Sequence, residues 1–193
     1  MPIQSAKPIA ADIPVLNASS IPTINKTSLP SGSIIQTASK FLAPGVDFLN
    51  DQSTTSTSYI DIQAGNSNAI LGVDLTDIKS TSYLIFTYEC PMFYNNSENI
   101  VYNIYETVSQ TYVVNNTTYS GAHSTQSATA GEWSTTSTSG AWGFTHVGKV
   151  GQYTGDCTFR VRLKHSSSPT NAHYYHWWSN RTGQSFVVQE IAG

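Results

Sequence analysis

Charged side chains are scarce in this 193-residue chain: Asp, Glu, Lys and Arg together make up 11% of it, against about 25% in a typical soluble domain. Serine, threonine and asparagine take their place, with 26, 23 and 13 residues. The nine basic residues form no cluster and the formal net charge is −3, whereas nucleic-acid binding requires Lys and Arg grouped against phosphates. We therefore expect no nucleic acid among the partners of this protein.

Long apolar runs and cysteines are also scarce. No stretch approaches the roughly 20 apolar residues that cross a bilayer, and Met1–Gln4 has neither the basic start nor the apolar block of a secretory signal, so we expect no membrane insertion. Cys90 and Cys157 are the only cysteines, too few for a disulfide framework. They could pair with each other, but we favour two buried thiols, because free cysteine packs as a small apolar residue.

Recognisable catalytic and metal-binding motifs are absent as well. The sequence contains neither G-x-S-x-G nor H-E-x-x-H. Residues 143–149 match a phosphate loop only in part, because a valine follows where the magnesium-binding hydroxyl residue belongs. Asp74 with Asp77, or Asp47 with Asp51, could contact calcium, but turn capping is the more ordinary role of such residues. We predict a non-enzymatic protein without a cofactor or a bound metal.

Short β-strands separated by polar clusters account for most of the remaining sequence. Residues 157–163 alternate, which places Cys157, Phe159, Val161 and Leu163 on one face of a strand. Further strand-like segments lie at 58–62, 82–88, 100–105, 110–114, 141–147 and 185–191. The Ser/Thr tracts at 53–58 and 134–139 suit loops or strand edges. Without sustained helical periodicity, the pattern predicts an all-β fold, an antiparallel sandwich or barrel.

An aromatic cluster at 174–178 is the most informative local feature, and its members are Tyr174, Tyr175, His176, Trp177 and Trp178. Strand alternation places Tyr175 and Trp177 on one face and the other three on the opposite face. One face should meet the core. The other is a candidate contact for a glycan or for a neighbouring subunit, because exposed aromatic rings mark binding surfaces. Burial of both faces, within a sandwich or an oligomer, is the competing interpretation.

The first 30 residues have a different composition from the rest. Prolines recur at positions 2, 8, 14, 22 and 30. Isolated apolar residues between them are candidate anchors on a partner: Ile3, Ile9, Ile13, Val15, Ile21 and Ile24. Because proline lacks a backbone donor and blocks helix interiors, residues 1–30 are predicted to form an extended arm beside a β-domain of residues 31–193. We expect the arm to dock on a partner; folding back onto its own domain is the alternative.

Four segments resemble the β-domains of bacteriophage tail fibres and virion appendages. Leu29–Thr37 (LPSGSIIQT) is similar to the strand that opens those domains, and Leu75–Ile85 to their mid-domain segment. Thr158–Lys164 is similar to a penultimate strand, and Ser185–Gly193 shares their Glu-Ile-Ala-Gly ending. The resemblance runs in order from about residue 30 to residue 193. It implies a β-sandwich of jelly-roll type that assembles as a homotrimer.

The function that this resemblance implies is structural, within a bacteriophage particle assembled in the host cytoplasm. A tail fibre or short appendage would contact a host-surface glycan, while residues 1–30 would dock on other virion proteins. Capsid decoration, as a cement protein or head fibre, and a role in the neck are alternatives, because no long shaft precedes residue 30 here. A carbohydrate-binding module is a more distant alternative.

Overall fold

Alternating apolar residues and β-branched runs form strands throughout the described part of the chain. The computed structural model describes residues 29–44, 46–47, 52–64, 67–94, 100–113, 128–129, 132–135, 139–165, 173–176 and 183–193. These residues contain thirteen β-strands and no α-helix. The strands form two antiparallel sheets that pack as a jelly-roll-like sandwich, which confirms the predicted fold class.

The first sheet is organised around its longest strand, β5. Its strands are β1 (Ile34–Leu42), β2 (Gln52–Thr54), β5 (Tyr83–Tyr94), β10 (Ser139–Val147), β12 (His173–His176) and β13 (Gln184–Ile191). β10 pairs with one side of β5, and β13 pairs with the other side. β1 lies beyond β13, whereas β12 meets β5 at Tyr94 and carries β2 on its far side.

The second sheet is organised in the same way around β11. Its strands are β3 (Ile60–Asp61), β4 (Gly72–Ile78), β6 (Ile100–Glu106), β7 (Thr111–Tyr112), β8 (Ala128–Thr129), β9 (Glu132–Thr135) and β11 (Gly155–His165). β3 and β4 both pair with β11, and so does β6. β7 and β9 pair with opposite ends of β6, and β8 pairs with β9. The strands β2 and β9 fall within or beside the Ser/Thr tracts, where strand edges were expected.

The core lies between the sheets and follows the alternation of each strand. Phe159, Val161 and Leu163 in β11 are fully buried, and Cys157 is 7% exposed, as the sequence pattern predicts. Phe86 of the first sheet meets Phe159 edge-on, with 5.0 Å between ring centroids. Full burial of an apolar side chain contributes about 1.5–3 kcal/mol, so this interlayer packing is the main source of stability.

The two cysteines lie in opposite sheets, in β5 and β11, and are not joined by a disulfide. Both are buried, Cys90 at 1% and Cys157 at 7% exposure, which confirms the prediction of buried thiols. Burial raises the pKa of Cys157 to about 11, and the negative charges of Glu106 and Asp156 add to the effect. The Cys157 thiol is therefore protonated at neutral pH, when it is a poor nucleophile.

β4 is the strand that the sequence analysis did not anticipate. Its aspartates, Asp74 and Asp77, were expected in turns, but both are exposed on a strand whose residues Val73, Leu75 and Ile78 are buried. Asp77 has a φ of 54° and lies where the register with β11 shifts, which turns its side chain outward. Asp74 accepts a hydrogen bond from the Thr158 hydroxyl at 2.6 Å. Because the aspartates face outward, their charges do not oppose strand formation by the buried residues.

Residues from both ends of the described domain meet where the edges of the two sheets approach each other. Gln36 donates from Nε2 to the Glu190 carboxylate at 2.6 Å and to the Thr76 carbonyl at 2.8 Å. The backbone N–H of Lys79 donates to the other Glu190 oxygen at 2.9 Å. Glu190 is fully buried, so these donors replace its hydration. We refer to Gln36, Thr76, Lys79 and Glu190 as the clasp.

Candidate functional site

The aromatic segment singled out by the sequence is only partly described. His173–His176 form strand β12 at the end of the first sheet, which agrees with the expected extended conformation. The structure describes the backbone here but not the side chains of Tyr174, Tyr175 and His176. Trp177 and Trp178 lie outside the described residues, as do the arm anchors between positions 3 and 24. Their roles stay predictions.

Three tyrosines converge on the outer face of the second sheet. Tyr105 of β6 lies directly opposite Tyr112 of β7, and their ring centroids are 5.1 Å apart. Tyr59, immediately before β3, brings its ring to 4.7 Å from that of Tyr112. Aromatic pairs at such distances contribute about 0.5–1.5 kcal/mol beyond area burial. The three rings therefore form one partly exposed unit, which we call the tyrosine cluster.

Three cations lie beside the tyrosine cluster because they alternate with the buried residues of β11. Arg160, Arg162 and Lys164 point outward from this strand. The guanidinium carbon of Arg162 is 3.8 Å from the centroid of the Tyr105 ring, and the Lys164 ammonium is 4.5 Å from that of Tyr59. Both distances are within the range of cation–π attraction. The tyrosine cluster and these three cations form what we call the tyrosine–cation surface.

Asp61 is the carboxylate that both arginines contact. Arg162 donates from Nε to Asp61 at 2.7 Å, and Arg160 donates from Nη1 at 3.2 Å. Burial lowers the pKa of Arg162, but hydrogen bonds with Asp61 and Tyr112 and their charges outweigh it and raise the pKa overall. Arg162 is therefore always charged. Asp61 offsets one of the three positive charges of Arg160, Arg162 and Lys164, so the tyrosine–cation surface carries a net positive charge.

The cations remain partly accessible to solvent. The Arg160 side chain is 34% exposed and that of Arg162 is 21% exposed. An arginine carries five N–H donors, and its fork can bind a carboxylate through two parallel hydrogen bonds. Arg160, the more exposed of the two, is thus the stronger candidate for contact with a bound anion.

A groove of about 590 Å³ adjoins the tyrosine cluster, and Tyr112 belongs to both. On its other wall, Tyr153 packs edge-on against Phe159, with 5.1 Å between ring centroids. Hydroxyl and amide groups from residues such as Ser109 and Gln152 also line the groove. Its mixture of aromatic rings and hydrogen-bonding groups suits a polar ligand with an apolar face.

Glu106, on the wall of this groove, supports a turn. Its carboxylate accepts hydrogen bonds from the backbone N–H groups of Val108 and Ser109 at 2.9 and 2.5 Å, and from the Ser109 hydroxyl at 2.6 Å. Burial raises the pKa of Glu106, but these bonds and one from the Thr158 N–H outweigh it and lower the pKa. A carboxylate held charged in this way is a poor general acid or base at neutral pH.

Within the described ranges, no group of three or more His, Cys, Asp or Glu side chains is placed to hold a metal ion. Asp47 behaves as a turn-capping residue: its carboxylate accepts the backbone N–H of Ala43 at 2.8 Å, while its own N–H donates to the Ala43 carbonyl at 3.0 Å. Asp51, its proposed calcium partner, lies outside the described residues.

The tyrosine–cation surface was not predicted from the sequence, although part of the signal was present. The same alternation that places Phe159 in the core sends Arg160 and Arg162 outward. Tyr105 and Tyr112 occur in two predicted strands that are separated by a short polar turn, as in a hairpin. The position of Tyr59 could not be inferred, because it depends on the pairing of β3 with β11, strands about 100 residues apart in sequence.

Comparisons with known proteins give limited information about this chain. No protein-family model and no curated protein matches it. Among solved structures, the crystal structure of murine APRIL at pH 8.5 matches with a TM-score of 0.40 and 11% identity, covering 80% of this chain and 99% of that chain. In the part of the chain that the structure describes, no helix is long and apolar enough to span a membrane.

Proposed function

We propose that this chain is a non-enzymatic structural protein of a bacteriophage particle, a tail fibre or short appendage with a role in binding a host-surface glycan. Its β-domain assembles as a homotrimer, and residues 1–30 dock on other virion proteins. The observation that carries the proposal is the clasp, because it physically connects the segments on which the resemblance to virion appendages depends.

Residues from three of the four resembling segments meet in the clasp. Gln36 comes from the opening segment, Thr76 and Lys79 from the middle one, and Glu190 from the Glu-Ile-Ala-Gly ending. Gln36 and Glu190 are 154 positions apart in the sequence. Three segments that are far apart in the sequence thus contact one another in the folded domain. This contact supports treating the short matches as a single resemblance rather than as separate coincidences.

The outer face of the first sheet supports trimer formation. It contains Thr37, Ser39, Phe41, Tyr83, Ile85, Thr87, Glu89, Gly143, Thr145, Val147, Ser185, Val187 and Gln189. Glu89 is the one charged residue of this set, which we call the charge-poor face. The cores of protein interfaces are depleted in charge, so this face can pack against another copy without burying unpaired ions.

The arm completes the proposal on the basis of its sequence. Its six separated apolar anchors would each contribute about 1.5–3 kcal/mol when fully buried on a partner. An extended segment can distribute such anchors along the surface of neighbouring virion subunits without building a core of its own. The arm thus provides attachment, and the β-domain projects from the particle.

Incorporation into particles tests this proposal. A tagged full-length chain and a variant lacking residues 1–30 are expressed during infection, and purified particles are probed for each. We expect the full-length chain in the particles and the truncated chain only in the soluble fraction, as a folded trimer. Absence of the full-length chain would contradict the structural role. Equal incorporation of both chains would contradict docking through the arm.

The alternatives differ in position and in the effect of deletion. Capsid decoration predicts density for the chain on the head and particles that break more readily when it is deleted, and a neck protein predicts density at the junction of head and tail. A tail-fibre role predicts density at the tail and loss of adsorption to host cells. A carbohydrate-binding module would bind glycans but would be missing from particles. Cryo-electron microscopy of intact and deletion particles separates these outcomes.

A further inference from the structure

We infer that the tyrosine–cation surface binds an acidic oligosaccharide, with sugar carboxylates at the β11 cations and sugar rings against the tyrosines. The inference deepens the glycan-binding part of the proposed function, on which it rests. It places the ligand on the outer face of the second sheet rather than at 174–178, and it identifies the chemical class of the ligand.

The arrangement of positive charge favours a saccharide with more than one carboxylate. Arg160, Arg162 and Lys164 form a straight row, because every second residue of a strand points to the same side. At roughly 3.3 Å per residue the row is about 13 Å long. Asp61 offsets one of the three charges. An anionic chain lying along the row would thus meet an excess of positive charge at successive positions.

The aromatic rings favour a sugar over other anions. Tyr59, Tyr105 and Tyr112 are each partly exposed, and together they offer both an apolar surface and hydroxyl groups. A pyranose ring has the matching combination, with C–H groups on its face and hydroxyls on its edge. Inorganic phosphate or an acidic peptide would use the cations but would gain little from three adjacent rings.

The neighbouring groove extends the site beyond the charged row. Because Tyr112 belongs to both features, a chain bound along the cations can continue into the groove. Ser109, Thr111 and Gln152 there supply donors and acceptors for neutral sugar hydroxyls. A binding site that combines a charged row with a polar groove discriminates by both charge and length.

A nucleic acid fits this surface less well. Phosphate backbones are bound by many Lys and Arg residues, whereas this surface has three in a chain of net charge −3. A short oligosaccharide with spaced carboxylates requires only the local positive charge of the three β11 cations.

The experiment uses the full chain and an array of uronate- and sialate-containing oligosaccharides, each with its carboxyl-reduced counterpart. Bound acidic probes are then titrated calorimetrically. We expect binding of acidic but not carboxyl-reduced probes. Arg160→Gln should weaken binding at least about tenfold, because it removes charge-assisted hydrogen bonds to the sugar carboxylate. Lys40→Gln, which removes a cation from β1 in the other sheet, should leave the affinity unchanged.

Each other result overturns the inference in a distinct way. Equal binding of reduced and acidic probes would show that the carboxylate is not recognised. Loss of binding in Trp177→Ala but not in Arg160→Gln would place the site at 174–178. Failure of every acidic probe to bind, with the circular dichroism spectrum intact, would reject the site altogether. Particle incorporation is measured separately, so any of these results leaves the structural role to be judged by its own experiment.

Discussion

The outer faces of the two sheets differ sharply although one core supports both. The charge-poor face of the first sheet carries Glu89 among uncharged threonines, serines and aliphatic residues. The tyrosine–cation surface of the second sheet carries two arginines, a lysine and three aromatic rings. Inward-facing positions are constrained by packing in both sheets. The outward positions of a β-sandwich can therefore differ in chemistry while the core stays the same, and we propose self-association on one side and ligand binding on the other.

Placing a charge on the charge-poor face should have the largest effect. Val187 points outward from β13 in the middle of this face, so Val187→Lys would bury an unpaired ammonium in the proposed trimer interface. The cost is about 3 kcal/mol or more per subunit, enough to give monomers in light scattering after gel filtration. Val108→Lys makes the same change at a 71% exposed position after β6 of the second sheet and should leave the trimer intact. A trimeric Val187→Lys protein would remove the proposed contrast between the faces.

Removing the clasp carboxylate should destabilise the domain that supports both faces. Glu190→Ala removes the acceptor of the Lys79 N–H and of one Gln36 amide hydrogen in a part-buried site, while Gln36 keeps its bond to the Thr76 carbonyl. The expected cost is about 2–4 kcal/mol. Urea denaturation measures the loss. Lys149→Ala removes a charged side chain from an exposed turn outside the charge-poor face and should change stability by less than about 0.5 kcal/mol. Similar losses in both variants would show that the clasp is not an important support.

Acidification should weaken the first sheet through His146. Burial lowers the pKa of His146 to about 4, from 6.5, and its ring packs on Phe86 at 5.9 Å between centroids. Below pH 6.5 His146 binds a proton in the unfolded chain but stays neutral in the folded chain. The free energy of unfolding is therefore highest above pH 6.5 and decreases as the pH falls towards 4.

The decline between pH 7.5 and pH 5.0 is expected to be about 1–2 kcal/mol, read from urea midpoints. This range also avoids the carboxyl of Glu106. Its pKa is lowered from 4.5, so the stability that it provides is lost at lower pH. His146→Gln should show a smaller decline than the parent protein. The same decline in both proteins would exclude His146 as its cause.

The smallest effect is expected from the ion pairs of the tyrosine–cation surface. Asp61→Asn removes the charge that Arg160 and Arg162 share, and partly exposed pairs of this kind contribute about 0.5–1 kcal/mol. The loss should shrink in 1 M salt, because screening already weakens the pairs in the parent protein. Thermal denaturation at low and high salt measures it. A loss that is independent of salt would indicate packing rather than charge.

The sequence predicted most strands because their periodicity is local. The buried face of β11 follows directly from the alternation around Phe159 and Val161. β4 was missed because Asp74 and Asp77 are strong turn signals in isolation. Only the pairing of β4 with β11 shows a strand there, with Asp74 on its outward face and Asp77, at φ 54°, turned outward by an irregularity in the register. Local alternation was therefore enough to predict strands such as β11, whereas β4 could be recognised only from its long-range pairing with β11.

The binding surface was less predictable than the fold. The aromatic residues at 174–178 were predicted as a contact surface because they are adjacent in the sequence. The tyrosine cluster instead assembles from Tyr59, Tyr105 and Tyr112, which come from three separate segments. Similarly, the contact between Gln36 and Glu190 could not be predicted without knowing that β1 pairs with β13. Sites built across strands require the register, which periodicity alone does not give.

The contact between the two ends of the domain has a practical consequence for protein engineering. The N–H of Gly32 donates to the Ala192 carbonyl at 2.7 Å, and the Ala192 N–H donates to the Ser33 carbonyl at 2.9 Å. Circular permutation is tolerated when chain termini are close together. A short linker could therefore join residue 193 to residue 30, with new termini opened at the exposed turn around Lys149. Such a permutant spans the β-domain without the arm, and it would keep its sandwich while carrying a fused label at the Lys149 turn.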